Sequence, residues 1–513
     1  MTADKAKKTR TVGEIMSSPV VTATSSETVA DVAARMVDEK VGSVVVVDGE
    51  RPVGILTERD LIRVASSGAE PSATKVSEWM TEDPDTVSPD APIEDAFASL
   101  SEKGYRHIPV VDKASLKGIV SLRDLMNIAR IQPFEKLAAE VPKGLEGVAV
   151  AETTIGDVRG LEGFYHYRQY NAVELAEHRT IEDVWHLLFE GELPNDVERA
   201  RFTEKVAPLR EVPAGARDLL PEIANLGDQF IPLDALRTAL SMITSSLDLK
   251  PWLDISYDEL KEQALRICAV TPTLIMALYR LREGREPIEP HADLPYAANY
   301  LYMLTGEVPE PEHARAIEHY LISTIDHGFN ASTFTARVIT STGADLGSAV
   351  IGAIGALSGP LHGGAPSRAL DMLDAIGKPE NAEKWIRDAV NSGDRIMGFG
   401  HRVYKTDDPR SMMLRGVAEK LGGPNVDLAK KIEKTVVAVL EELKPGRKLY
   451  ANVEFYAGVV MDRIGIPRTL FTPTFASSRV IGWTAHILEQ AADNRLIRPS
   501  ANYVGPPPPQ PLP

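Results

Sequence analysis

Residues 398–410 read Gly398-Phe399-Gly400-His401-Arg402-Val403-Tyr404-Lys405-Thr406-Asp407-Asp408-Pro409-Arg410. Glycines on both sides of Phe399 let backbone approach a ligand closely, His401 can exchange a proton near neutral pH, and Arg410 can hold a carboxylate in a two-pronged fork. Three other segments have the same character: Asp326-His327-Gly328-Phe329-Asn330-Ala331-Ser332, Ser358-Gly359-Pro360-Leu361-His362-Gly363-Gly364-Ala365 and Asn452-Val453-Glu454-Phe455-Tyr456-Ala457-Gly458. Around them apolar residues recur at helical spacing. The pattern predicts helices over Thr180–Phe189, Asp258–Cys268, Thr271–Glu283, Asn381–Ser392 and Asp427–Leu443, with little strand signal between residues 170 and 500. The large carboxyl-terminal part therefore reads as mostly α-helical, with its chemistry carried by the loops.

An isolated histidine is more often a satisfied core or surface residue than a functional one, and it is the glycine-rich company that singles out His327, His362 and His401. They lie 35 and 39 residues apart with no close-spaced ligand motif beside them, so no metal site is expected. No serine nucleophile elbow competes. Arg410, Arg479 and Arg498, with Arg402 beside His401, supply cations that resist deprotonation and suit a dicarboxylate. Any one of these arginines alone reads equally as a solvated surface cation.

Toward the amino terminus the pattern changes to a repeat. Residues 11–63 overlie residues 75–127 at a constant offset of 64. Val12, Glu14 and Met16 fall on Val76, Glu78 and Met80, Val46-Val47-Asp48 on Val110-Val111-Asp112, and Gly54-Ile55 with Asp60-Leu61 on Gly118-Ile119 with Asp124-Leu125. Each copy reads as an amphipathic helix (Thr28–Met36; Ile93–Leu100), a β-branched strand (Ser43–Val47; His107–Val111), a second strand and a closing helix. The expected organisation is a tail over 1–10, repeats over 11–68 and 75–130, a linker over 131–146, the helical region over 147–504 and a proline-rich tail over 505–513.

The 513 residues accommodate two to four domains at about 100–200 residues each. With 43% hydrophobic and 25% charged residues the chain is neither disordered nor fibrous. Its 56 Lys and Arg against 73 Asp and Glu give a net charge of −17, which counts against a nucleic-acid partner. The single cysteine, Cys268, allows no internal disulfide and suits a reducing compartment, so a cytoplasmic location is expected, with no membrane partner. The opening residues show no secretory pattern, and no uninterrupted apolar run reaches the length a spanning helix needs.

The repeat resembles a tandem pair of CBS domains, and Gly54-Ile55-Leu56-Thr57-Glu58-Arg59-Asp60 and Gly118-Ile119-Val120-Ser121-Leu122-Arg123-Asp124 match that family's ligand-binding pattern. The resemblance implies an adenine nucleotide (ATP, ADP or AMP) held by Thr57, Asp60, Ser121 and Asp124; the plainer reading is that these residues cap helices. From about Leu145 to Tyr503 the chain resembles a citrate synthase. The whole is then a multidomain protein, with mostly α-helical large and small citrate-synthase-like domains preceded by an α/β CBS pair.

The citrate synthase resemblance implies no permanently bound cofactor, acetyl-CoA as co-substrate, and a homodimer or higher homo-oligomer. His362 would bond the thioester oxygen, Glu454 would remove the methyl proton, and His401 would protonate the oxaloacetate carbonyl. His327, Arg410 and Arg479 would hold oxaloacetate, with Arg498 reaching in from the partner subunit. Gly398 and Gly400, in the loop leading into His401, would meet the CoA adenine, and Lys405 and Lys448 its phosphates. One residue departs from the pattern: the family's base is an aspartate in Asn-Val-Asp, and here Glu454 follows Asn452-Val453. An added methylene moves the carboxylate by about one bond, and misplacement of about 1 Å can cost about a hundredfold in rate. Two alternatives stay open, a 2-methylcitrate synthase using propionyl-CoA and a non-catalytic CoA or nucleotide sensor.

Overall fold

The computed structural model describes residues 11–93, 95–96, 99–100, 105–121, 143–145, 147–359, 362, 365–400, 404, 406–447, 449–506 and 508–510. The chain divides into two compact units, Met1–Val150 and Ala151–Pro513.

In the first unit, helix α1 (Val29–Asp38) starts where the Thr28 side chain accepts from the Asp31 N–H, and its face carrying Val29, Val32 and Met36 is buried. The run Ser43–Asp48 pairs antiparallel with Arg51–Thr57, matching Ser43 to Thr57 and Val46 to Gly54, with a register shift between Val46 and Val47. The second repeat reproduces this 64 residues on: His107 faces Ser121, Val110 faces Gly118, and the shift falls between Val110 and Val111. Each repeat lends its opening segment to the other. Val12 packs with Ile93, Ile108, Val110 and Val120, whereas Val76 packs with Val32, Val44, Val46 and Leu56. A Cβ at Gly54 would come 2.3 Å from Met80 Sδ, and one at Gly118 2.5 Å from Met16 Sδ, so a larger residue at either position would displace that methionine. Helix α2 (Glu58–Ser67) closes the first repeat. Part of the predicted helix Ile93–Leu100, the closing helix of the second repeat with Asp124, and most of the predicted linker lie outside the described residues.

The second unit is helical, as its sequence pattern predicts. Thr180 caps Ile181–Glu190, and Pro379–Asn391 and Pro424–Leu443 each begin at a proline, where the missing N–H costs nothing. One prediction fails. The expected break near Cys268 does not exist, and Tyr257–Arg282 is a single helix, α3, running through Pro272. Two flanking threonines use their hydroxyls here: Thr271 donates to the Ile267 carbonyl at 2.6 Å and Thr273 to that of Arg210 at 2.7 Å. Every residue from Ile267 to Tyr279 is buried, so packing on all faces holds the helix across the proline. By length and composition α3 could cross a membrane, but 83% of its most apolar window is buried within the protein, as in a core helix. Cys268 lies within it, 3.1 Å from the Thr484 hydroxyl, and burial pushes its thiol pKa up to about 12.

The remaining elements frame the site. A three-stranded antiparallel sheet (Gly156–Arg159, Phe164–Tyr167, Tyr170–Asn171) precedes the helices. Then come α4 (Pro311–Thr324), α5 (Ala331–Ser341), α6 (Leu346–Leu357), α7 (Ala365–Ile376), α8 (Pro409–Leu421), α9 (Pro424–Leu443), α10 (Val453–Arg463) and α11 (Phe471–Ala492).

Candidate active site

The turn between α4 and α5 carries His327. Gly328 gives it a left-handed step at φ +63°, and Asn330 starts α5 by accepting from the N–H groups of Ser332 and Thr333, both at 3.1 Å. His327 Nε2 lies 3.0 Å from the Tyr404 hydroxyl, and its ring stands 5.6 Å from that of Tyr165. Strand and helix ends thus converge on one imidazole.

His362, in the loop between α6 and α7, places Nε2 2.8 Å from Ser332 Oγ. Ser332 donates its one proton to Asn330 Oδ1 at 2.7 Å and accepts from the Trp483 indole at 3.1 Å. With that proton committed, His362 Nε2–H is the donor in this arrangement. Burial, reinforced by Arg479, lowers the His362 pKa to about 4, so the ring is neutral at physiological pH.

Helix α10 opens at Asn452, whose Oδ1 accepts from the Glu454 N–H at 3.1 Å while its Nδ2 donates to the Gly400 carbonyl at 3.0 Å. Phe399 bridges Ala451 in the same place. One side chain therefore ties the loop leading into His401 to the helix carrying Glu454. Gly398 and Gly400 hold φ +80° and +83°, and a Cβ on Gly400 would come 2.8 Å from Leu449, so the fold itself requires these glycines. Glu454 is half-buried. Burial pushes its carboxyl up to about 7, with Asp408 adding to the rise and Arg410 opposing it.

Asp408 caps α8 and grips Arg410 three times: Oδ1 accepts from its backbone N–H and from Nε, each at 3.0 Å, and Oδ2 from Nη2 at 2.8 Å. Oδ2 also accepts from the Val453 N–H at 3.1 Å, which joins the arginine to the start of α10. The Tyr165 and Tyr404 rings flank the Arg410 guanidinium at 5.9 and 5.7 Å. Arg479 is buried on α11, donates from Nε to the Thr324 carbonyl at 2.8 Å, and lies 4.5 Å from the Phe475 ring.

The structure thus brings His327, His362, Arg410, Glu454 and Arg479 into one neighbourhood built from α4, α8, α10, α11 and the loops between helices. Arg498 is exposed beyond α11. His401, Arg402, Lys405 and Lys448 lie outside the described residues. In the first unit, Asp60 Oδ2 accepts from Thr57 N at 3.0 Å and Thr57 Oγ1 at 2.7 Å, while Oδ1 takes Arg63 at 3.2 Å; Ser121 ends its strand. Sequence reasoning missed Ser332, Trp483, Asp408 and Asn452. Asp408-Pro409 and Asn452-Val453-Glu454 carry helix-start signals that point to the last two. Trp483 gives none, because its partner is 151 residues away.

Residues 144–500 match the family described as citrate synthase, C-terminal domain, and residues 12–67 and 76–130 each match the CBS domain. The chain belongs to the citrate synthase family. It is 40% identical over 371 residues to the citrate synthase of Haloferax volcanii, covering 72% of this chain and 97% of that one. It is also 40% identical to a 2-methylcitrate synthase of Mycobacterium tuberculosis, covering 71% and 91%. The crystal structure of Thermotoga maritima citrate synthase superposes with a TM-score of 0.64 at 38% identity, covering 72% of this chain and 98% of that one. A citrate synthase from Thermoplasma acidophilum, solved as a ternary complex with carboxymethyl coenzyme A and oxaloacetate, gives 0.68 at 31% identity, covering 73% and 98%. As a member of this citrate synthase family the chain is an acyltransferase-type enzyme acting on small molecules, with a CBS pair ahead of its catalytic region.

Proposed function

We propose that the chain condenses acetyl-CoA with oxaloacetate and water to give citrate and CoA. The observation that carries this reading is the pairing of a carboxyl with a pKa of about 7, Glu454, with a neutral imidazole, His362, in one site lined by buried arginines. Glu454 takes a methyl proton from acetyl-CoA as His362 bonds the thioester oxygen, which spares the enzyme a free enolate. For His362 to donate from Nδ1, the Ser332 proton must turn from Asn330 to Nε2, so Ser332 sets the tautomer. The enol carbon attacks the oxaloacetate carbonyl, His401 protonates that oxygen, and water cleaves the thioester to release CoA. Arg410, flanked by two tyrosine rings and gripped by Asp408, forks one oxaloacetate carboxylate, with His327 and Arg479 completing the cradle.

The ligands named for the Thermoplasma acidophilum structure support this choice of substrates. Oxaloacetate-dependent CoA release, run with acetyl-CoA and propionyl-CoA side by side, is the test. Faster acetyl-CoA turnover is expected; faster propionyl-CoA turnover makes the chain a 2-methylcitrate synthase, which its relative of that name also supports. No turnover with either thioester sinks both.

Three further readings belong to the proposal. Arg498 completes a partner subunit's site in a homodimer, its exposure beyond α11 supporting this, and active monomers in sedimentation would refute it. Adenine nucleotide binds the CBS pair and changes turnover; its ribose shares Asp60 with Thr57 and Arg63, and unchanged kinetics despite measured binding would refute that. The reduced, buried Cys268 fits a cytoplasmic enzyme.

A further inference from the structure

A second set of buried polar groups lies behind the oxaloacetate end of the site. Asp326, His486 and Arg337 come from the α4–α5 turn, α11 and α5, and all three are buried. Arg337 Nη1 lies 3.2 Å from His486 Nδ1. A guanidinium only donates, so Nδ1 accepts and a ring proton sits on Nε2. That nitrogen stands 3.3 Å from Asp326 Oδ1, within ion-pair range but short of hydrogen-bond geometry, and neither atom has a hydrogen-bond partner among the described residues. Nδ1 of the ring therefore faces Arg337 and Nε2 faces Asp326.

We infer that His486 is a positioning residue for the oxaloacetate cradle, acting through Asp326 on His327 and Arg479. Asp326 precedes His327, and its Oδ2 accepts from the Gly328 N–H at 3.3 Å, so one carboxylate braces both sides of that histidine. Its main chain is pinned as well, with Tyr167 Oη donating to the Asp326 carbonyl at 3.1 Å. Burial pushes the Asp326 carboxyl up, but His486, Arg479 and the Gly328 N–H together hold it below its ordinary value, so it stays anionic beside Arg479. The Phe329 ring covers the group, 6.3 Å from the His486 ring and 5.6 Å from the Arg337 guanidinium.

The other side of Arg337 leads toward the carboxyl-terminal arm. Its Nη1 also donates to Glu489 at 2.6 Å and its Nε to Gln490 at 2.9 Å. Gln490 reaches Asn494 at 3.1 Å, and Ser341, on the same helix as Arg337, receives the Asn494 amide at 3.2 Å and the Ile497 N–H at 3.1 Å. Residue 498 follows directly. One network thus underlies three positions assigned to oxaloacetate. Isolated buried charges are costly, and this fold keeps several where apolar packing would be cheaper, which suits a demand on geometry rather than on stability.

The inference rests on the proposed reaction, and its test separates the two. Calorimetry with oxaloacetate and CoA-release kinetics would be run on the full chain, His486→Phe, His486→Gln and Asp326→Asn. Phenylalanine keeps the ring volume and removes both nitrogens; glutamine keeps one acceptor and one donor at similar separation. His486→Phe is expected to bind oxaloacetate about tenfold to a hundredfold more weakly. Its KM for oxaloacetate should rise in step while the KM for acetyl-CoA stays within about twofold, and His486→Gln should recover most of the loss. If His486→Phe does not fold, Asp326→Asn, which keeps the shape, carries the same expectation. A folded variant of either kind that binds oxaloacetate as the native chain does, or that loses both substrates alike, overturns the inference. A native chain that binds oxaloacetate but releases no CoA overturns the proposed reaction alone; one that binds no oxaloacetate overturns both.

Discussion

Asp60 in the CBS pair and Glu454 in the helical unit both stand in the first turn of a helix. Asp60 has its oxygens filled by the Thr57 N–H, the Thr57 hydroxyl and Arg63. Glu454 has its N–H capped by Asn452, but no donor among the described residues reaches its carboxylate, and burial raises its pKa to about 7. The difference separates a carboxylate that belongs to the scaffold from one able to work as a base. Oxygens filled by neighbouring donors hold the carboxylate in place, whereas a half-buried carboxylate short of donors is held near the pH at which proton transfer is most effective.

The largest test of that contrast is Glu454→Gln. It should lower turnover by about a hundredfold to ten-thousandfold in a CoA-release assay. Its melting temperature at pH 8 should hold or rise. The sign follows from the raised pKa: as pH climbs from 4.5 to about 7 the unfolded chain ionises before the folded one, so the native carboxyl loses stability over that window and the amide does not. Next in size is the pH profile of kcat/KM, which should climb about tenfold per unit below pH 7 and flatten above it. A flat profile between pH 5.5 and 8 would place the working base elsewhere. Ser332→Ala should cost about tenfold to a hundredfold in kcat, because His362 loses the group that sets its tautomer. An unchanged kcat would show that the Ser332 contact is only packing.

The smallest effect is expected from Asp60→Asn. It should lower the stability of the first unit by about 1 kcal/mol, read by thermal melting, and leave nucleotide-free turnover unchanged. A large loss of basal turnover would mean that the CBS carboxylate is coupled to the chemistry after all.

Much of this arrangement was legible in the sequence, for reasons that also explain what was not. The 64-residue offset survives intact in the strand registers, because apolar alternation and glycine placement fix which residues face one another. The site histidines announced themselves through neighbouring glycines, and Asp408-Pro409 and Asn452 carried local helix-start signals. Local signals misled at Pro272, where burial on every face outweighs a missing backbone donor. They were silent on Trp483, His486 and Arg337, whose partners arrive from other helices. The shift at Glu454 was invisible too, since it depends on packing around the carboxyl and not on its neighbours in the chain.

The most direct measurement is CoA release from acetyl-CoA and oxaloacetate by the native chain and Glu454→Gln, each at pH 6 and pH 8. Native turnover that is higher at pH 8, with the glutamine variant silent at both, is the result predicted here. A silent native chain, or a glutamine variant that keeps native turnover, would contradict the assignment of Glu454 as the base.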